Sequence, residues 1–109
     1  MENSEVIVGR VLMQENSKRI IKVIRGIPEG HVLSYGEVGR RAGLGNGARM
    51  VARILHSASE KRHLPWHRVV NSRGKISLTG DAYALQRTLL QNEGIEFGPS
   101  DTIDLAKYA

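Results

Sequence analysis

Apolar positions recur along the chain at helical spacing for its first half and then switch to short runs. Ile20, Val23, Ile24 and Ile27 fall at i, i+3, i+4 and i+7, the stripe of a core-facing helix. A helix is therefore expected over 17–25, with Ser17 as its N-cap and Gly26 and Pro28 ending it. Pro28-Glu29-Gly30 reads as a turn. Ser34-Tyr35-Gly36-Glu37 is a capping box: the serine oxygen takes the Glu37 N–H and the glutamate reaches back. It predicts a short helix over 35–42. Gly43-Leu44-Gly45-Asn46 turns the chain, with Asn46 placed to cap a third helix over 47–57. Met50, Val51, Ile54 and Leu55 form the apolar face of that helix, while Arg49, Arg53 and His56 lie at i, i+4 and i+7 on another side. Two short helices around a Gly-containing turn make a helix-turn-helix pattern.

Beyond a polar loop at 60–63 the pattern shortens. Arg68-Val69-Val70 and Lys75-Ile76-Ser77-Leu78 flank Asn71-Ser72-Arg73-Gly74, which predicts a β-hairpin. A last helix begins at Thr79 or Asp81, with Ala82, Leu85 and Leu89 facing inward and Gly94 as its stop. The tail after Ile95 is mixed in character and is expected to fray. The implied fold is mostly α with a small β-hairpin, a winged helix-turn-helix. We divide the chain into a leader (1–16), a winged-helix domain (17–97) and a tail (98–109). The apolar run Val6–Met13 reads as a strand, an extension of the next helix or a loose leader. It lacks the basic n-region and small-residue cleavage site of a signal peptide.

Length and composition narrow the chemistry. At 109 residues the chain is one domain, and its 40% hydrophobic content is ordinary for a globular protein. No apolar run approaches a membrane span. There is no cysteine, which removes disulfides, thiolate metal ligands and thiol nucleophiles and fits an intracellular protein. The formal charge is +5 and is concentrated: positions 31–75 hold nine Lys/Arg, two acids and all four histidines. That distribution suits a polyanion binder as well as a solvated basic face. There is no Gly-rich phosphate loop and no G-x-S-x-G elbow. His63 and His67 are separated by Pro65, which defeats a helical zinc pair, so no metal is expected. His67 reads better as a hydrogen-bonded structural histidine than as half of a dyad with Ser57, Ser59 or Ser72.

Pro65-Trp66-His67-Arg68-Val69 resembles the P-C-H-R-V active-site motif of the DNA O6-alkylguanine alkyltransferases, with tryptophan where the reactive cysteine stands. That replacement marks the alkyltransferase-like proteins. Three further segments agree in order and spacing: Ser34-Tyr35-Gly36-Glu37-Val38 with S-Y-G-E-[IV], Ala48-Arg49-Met50-Val51 with A-R-x-V, and Leu89-Leu90-Gln91-Asn92-Glu93-Gly94 with L-L-x-x-E-G. The resemblance covers about residues 17–97 and implies a role for each matched residue. Tyr35 would press on the phosphate beside the damaged nucleotide and help rotate it. Arg49 would enter the base stack from a recognition helix lying in the minor groove. Trp66 would line the space around the O6-alkyl group, and Val69 would form the next wall. Arg53, Arg73 and Lys75 are candidate phosphate contacts. Thr79 stands where some relatives carry a basic residue facing the damaged base. His67, Arg68 and Glu93 would be structural.

General chemistry agrees with those roles. An O6-alkyl group spoils the guanine–cytosine pair, so extruding that base costs less than the few kcal/mol typical of a normal one. A planar guanidinium can stack in the vacated space, and an indole offers a large apolar wall. Alkyl transfer, however, needs a thiolate, and tryptophan is no substitute for one. The resemblance thus implies a non-enzymatic protein without cofactor that flips and holds O6-alkylguanine in double-stranded DNA. It further implies a monomer that flags the lesion for nucleotide excision repair, through UvrA in bacteria. Such a protein would sit in the cytoplasm on the nucleoid if prokaryotic and in the nucleus if eukaryotic. The chain departs from the family in four places: His56-Ser57-Ala58-Ser59 replaces a G-N-P turn, Thr79 replaces the basic residue of some relatives, Arg53 replaces a smaller residue, and the N-terminal domain of full-length alkyltransferases is expected to have no counterpart. Two rivals stand beside this reading: a winged-helix transcription regulator of undamaged DNA, and a His67-dependent hydrolase or residual transferase.

Overall fold

The structure, a computed structural model, describes residues 4–109, with side chains described from Glu15 onward except Glu60 and Lys61. Residues 1–3 of the leader lie outside the described residues. In chain order the elements are α1 (Ser4–Arg25), β1 (Leu33–Ser34), α2 (Tyr35–Arg41), α3 (Ala48–Arg62), a 3₁₀ turn (Trp66–Arg68), β2 (Val69–Val70), α4 (Gly80–Asn92), a second 3₁₀ turn (Pro99–Asp101) and α5 (Leu105–Tyr108). The domain is mostly helical with one two-stranded sheet.

The first helix starts well before Ser17, which sits in its interior and caps nothing. No proline interrupts residues 4–16, so the helix runs through the boundary assigned to the leader. At α2 the Ser34 Oγ accepts the Glu37 N–H at 3.1 Å. The return half of the box is not made: the Glu37 carboxylate takes Arg40 (2.7 Å) and Arg41 (3.2 Å) instead. Those guanidiniums hold the Glu37 carboxyl below the usual carboxylate range. The turn into α3 depends on close backbone approach, because a Cβ on Gly39 would lie 3.1 Å from the Gly47 Cα. Gly47, not Asn46, is the N-cap of α3, and no side chain bonds there. The helix also runs past Ser57 to Arg62. Ser57 and Ser59 turn their hydroxyls onto the carbonyls of Arg53 and Leu55, so neither competes for the backbone of the next turn. His63 ends it in the left-handed region at φ 50°.

Two cores flank the sheet. Ile20, Ile24, Val38, Val51, Leu33 and Val69 pack the helical one, and Val32, Val70, Ile76, Leu90, Ile95 and Ile103 pack the other. Alternation along the strands sends Leu33 and Val69 to the first and Val32 and Val70 to the second. The pairing is parallel, Leu33 with Val69 and Ser34 with Val70. This corrects the hairpin: the 71–74 turn forms, with Asn71 N–H donating to the Lys75 carbonyl at 3.0 Å, but 75–78 does not pair as a strand. β1 takes the pairing of β2, and the limb that follows the turn buries only Ile76.

Two more expectations fail in the C-terminal third. Leu85 is 53% exposed and Ala82 is also exposed, because α4 buries Gln86 and Leu90 with Tyr83 and Arg87 on the same side. Gln86 is 2% exposed and earns its place by donating from Nε2 to the carbonyls of His67 (3.1 Å) and Val69 (3.0 Å). The helix ends in a Schellman motif: Gly94 (φ 88°) donates to the Gln91 carbonyl and Ile95 to the Leu90 carbonyl. The tail is docked rather than frayed. Val32 N–H donates to the Tyr108 carbonyl and Ile103 N–H to the Gly74 carbonyl, both at 2.8 Å. A Cβ at Gly74, where φ is 78°, would run into the Ile103 carbonyl.

Candidate nucleic-acid interface

The C-terminal half of α3, the 63–69 segment and one side of α4 enclose a cavity of about 1030 Å³. Tyr35, Leu55, His56, Trp66, Val69 and Leu89 are among its walls. Pro65 and the 3₁₀ turn after it place Trp66 there half-buried, its ring edge-on to His67 with centroids 6.0 Å apart. Tyr35 stands at the start of α2, its hydroxyl 3.1 Å from Ser77 Oγ on the limb after the turn. Val69 is 1% exposed and forms the floor. The lining is therefore largely apolar, with hydroxyl and imidazole groups at intervals, as in sites that take a flat organic ligand.

Behind this wall His67, Arg68 and Glu93 form one hydrogen-bonded network. His67 Nε2 donates to Glu93 Oε2 at 2.6 Å, and Arg68 donates from Nε to Oε1 and from Nη2 to Oε2, both at 2.9 Å. The Gly30 N–H adds a 3.0 Å bond to Oε1, and Arg68 Nη1 donates to the Ile27 carbonyl at 2.8 Å. Burial pushes the Glu93 carboxyl up, but the Arg68, His67 and Gly30 donors outweigh it and hold the carboxyl down to about 2. Glu93 is thus a fixed anion that ties α4 to the 3₁₀ turn and to the loop before β1. With Nε2 committed to it, His67 is held in one orientation.

The other candidate residues lie outside the cavity. Arg49 is exposed on the first turn of α3, one turn before Ala52, which lines the cavity; Arg53 is exposed beside it. Arg73 and Lys75 are exposed on the 71–74 turn and just after it. Thr79 is the exposed N-cap of α4, with no side-chain capping bond. The structure therefore brings Tyr35, Trp66 and Val69 to one cavity and sets Arg49 and Arg53 on the adjoining face of α3. Leu55, Ser77, Gln86 and Leu89 also line the cavity; sequence reading gave Leu55 and Leu89 to the core and none of the four to the site. For Gln86 a signal existed: Tyr83, Gln86 and Leu90 share one helical face, a better-buried choice than the one through Leu85. Among the described residues no group of three His, Asp or Glu could hold a metal ion, and no helix is long and apolar enough to cross a membrane.

Comparison with known proteins gives a consistent result. The family model of the 6-O-methylguanine DNA methyltransferase DNA-binding domain matches residues 15–95. The chain is 44% identical over 91 residues to a DNA base-flipping protein of Escherichia coli, covering 84% of this chain and 70% of that one. It is 37% identical to alkyltransferase-like protein 1 of Schizosaccharomyces pombe, covering 77% and 80%. The S. pombe Atl1 structure in complex with DNA containing O6-carboxymethylguanine superposes with a TM-score of 0.75 at 32% identity, covering 87% of this chain and 94% of that one. A methylated-DNA–protein-cysteine methyltransferase of Methanothermobacter thermautotrophicus is 33% identical, but this chain spans only 45% of its length. With a family match over most of the domain and alkyltransferase-like relatives covered along most of their own length, the chain belongs to the 6-O-methylguanine DNA methyltransferase DNA-binding-domain family, on its alkyltransferase-like branch.

Proposed function

We propose that this protein recognises O6-alkylguanine in double-stranded DNA by turning the damaged nucleotide into the Trp66 cavity, and leaves the alkyl group in place. The observation that carries the reading is a cavity large enough for a modified purine in a chain with no cysteine; the motif resemblance puts Trp66, one of its walls, at the position of the family's nucleophile. An indole packs against an alkyl group but supplies no lone pair able to attack its carbon and displace the guanine at neutral pH. The His67–Glu93 pair, which would activate a thiol, here only orients the wall. Arg49, exposed at the start of α3, fills the gap in the stack; Tyr35 meets the neighbouring phosphate; Arg53, Arg73 and Lys75 hold the backbone, and Thr79 sits near the mouth.

Because binding leaves the lesion intact, removal falls to other proteins, and we assign that step to nucleotide excision repair, with UvrA as the bacterial partner. The protein acts as a monomer, without cofactor, wherever the DNA is held. Titration of two matched duplexes, one carrying a single O6-methylguanine, tests the lesion reading. Tighter binding to the modified duplex is expected. Equal affinity for both would indicate a regulator of undamaged DNA instead.

A further inference from the structure

A second concavity lies away from the lesion cavity. It is a groove of about 500 Å³ between the last turns of α1 and the C-terminal end of α3, lined by Lys18, Ile21, Lys22, Arg25, Gly26 and Arg62. Four of its six lining residues are cations, and none is an acid. Lys18, Lys22 and Arg25 follow one another at i, i+4 and i+7 on one face of α1. Like charges at that spacing repel. Only Lys18 meets a carboxylate among the described residues, Glu15 at 3.8 Å, and that pair is largely exposed. Arg25 is drawn to the groove by the Arg62 backbone, donating from Nη2 to its carbonyl at 3.1 Å. Ile21, 8% exposed, supplies an apolar floor.

We propose that this groove docks an acidic, partly apolar segment of a partner protein while the other end of α3 holds DNA. Positive charge so concentrated, with only the exposed Glu15 carboxylate against it among the described residues, favours an anionic ligand, and an apolar floor under a cationic rim suits an amphipathic acidic peptide better than a phosphate backbone. The distance fits simultaneous occupancy: Arg49 and Arg62 are separated along α3 by about 20 Å at 1.5 Å per residue. The groove residues are ones the lesion reading does not use, but simultaneous occupancy rests on that reading's placement of DNA at the Arg49 end of α3; the peptide titration without DNA tests the groove separately.

The probe is a fluorescein-labelled synthetic peptide with glutamates on one helical face and leucines on the other. It is titrated by anisotropy into the full chain, alone and saturated with an O6-methylguanine duplex. Binding in both states is expected. Lys22→Glu and Arg62→Glu should each weaken the peptide by about tenfold while changing duplex affinity by less than about twofold. Lys75→Glu should do the reverse. Expulsion of the peptide by DNA, or parallel loss of duplex affinity in the groove variants, would make the groove a DNA contact and overturn the proposal, as would a peptide affinity that the groove variants leave unchanged. Lys22→Gln, a neutral change at an exposed position, gives the same readout if Arg62→Glu disturbs folding.

Discussion

Trp66 and its neighbours His67 and Arg68 are consecutive residues with opposite circumstances. The Trp66 indole faces a cavity and has no hydrogen-bond partner among the described residues, whereas His67 and Arg68 are tied to Glu93 by four hydrogen bonds. Glu93 meanwhile holds the Gly30 amide, so one carboxylate joins the loop before β1, the 3₁₀ turn and the end of α4. The contrast separates framework from function. The network sets where the indole stands; in the proposed function, the indole and the open space before it do the recognising. Under the proposed function, such a site keeps its geometry without a reactive atom, because the His67–Glu93–Arg68 network that holds the wall does not depend on one.

Removing Glu93 should give the largest effect. Glu93→Ala leaves the half-buried Arg68 without its counter-ion, and a loss of about 3 kcal/mol, the low end for one partner removed from a buried pair, is expected in urea unfolding. If stability is unchanged, the network is not the framework. Titrating the same group should reproduce part of that loss. Its carboxyl ionises at about 2 in the folded chain against 4.5 ordinarily, so its stabilisation is complete above 4.5 and disappears as pH falls toward 2. Thermal unfolding followed over that window should show the midpoint falling with pH, and the dependence should be much shallower in Glu93→Gln.

The wall should respond in the other direction. Trp66→Ala is expected to weaken binding of the O6-methylguanine duplex by about 1–3 kcal/mol, the usual worth of an aromatic face against a base, with a smaller change in folding stability than Glu93→Ala. A finding that stability falls as far as in Glu93→Ala would erase the distinction between wall and framework. On the face of α3 and the 71–74 turn the effects should be smaller and should divide. Arg49→Ala should cut the preference for damaged over undamaged duplex. Lys75→Ala should weaken both equally and reduce the slope of log affinity against log salt by about 1.

The helix-turn-helix was legible because its signals are local. Ser34 accepts the Glu37 amide and the apolar stripe of α3 lies where its period puts it; the stop of α4 at Gly94 was equally local. The Tyr35, Trp66 and Val69 grouping was legible only through the order of motifs, since nothing local brings residue 35 to residue 66. What sequence reading lost was decided at long range. The hairpin failed because Val69–Val70 pairs with Leu33–Ser34, a partner 36 residues away that no turn announces. The docked tail depends on Gly74 and Val32 amide and carbonyl groups, which carry no side-chain pattern. Leu85 was misplaced because hydrophobicity favoured it over Gln86, whose burial makes sense only once the His67 and Val69 carbonyls are known to need donors.

The central claim is that the cavity grips a modified guanine and cannot accept its substituent. Intact-mass measurement of both components, after the protein has been held in saturating complex with an O6-methylguanine duplex, addresses it directly. The account predicts that protein and oligonucleotide are each recovered at their starting masses. A polypeptide heavier by one methyl group, or an oligonucleotide restored to unmodified guanine, would contradict it.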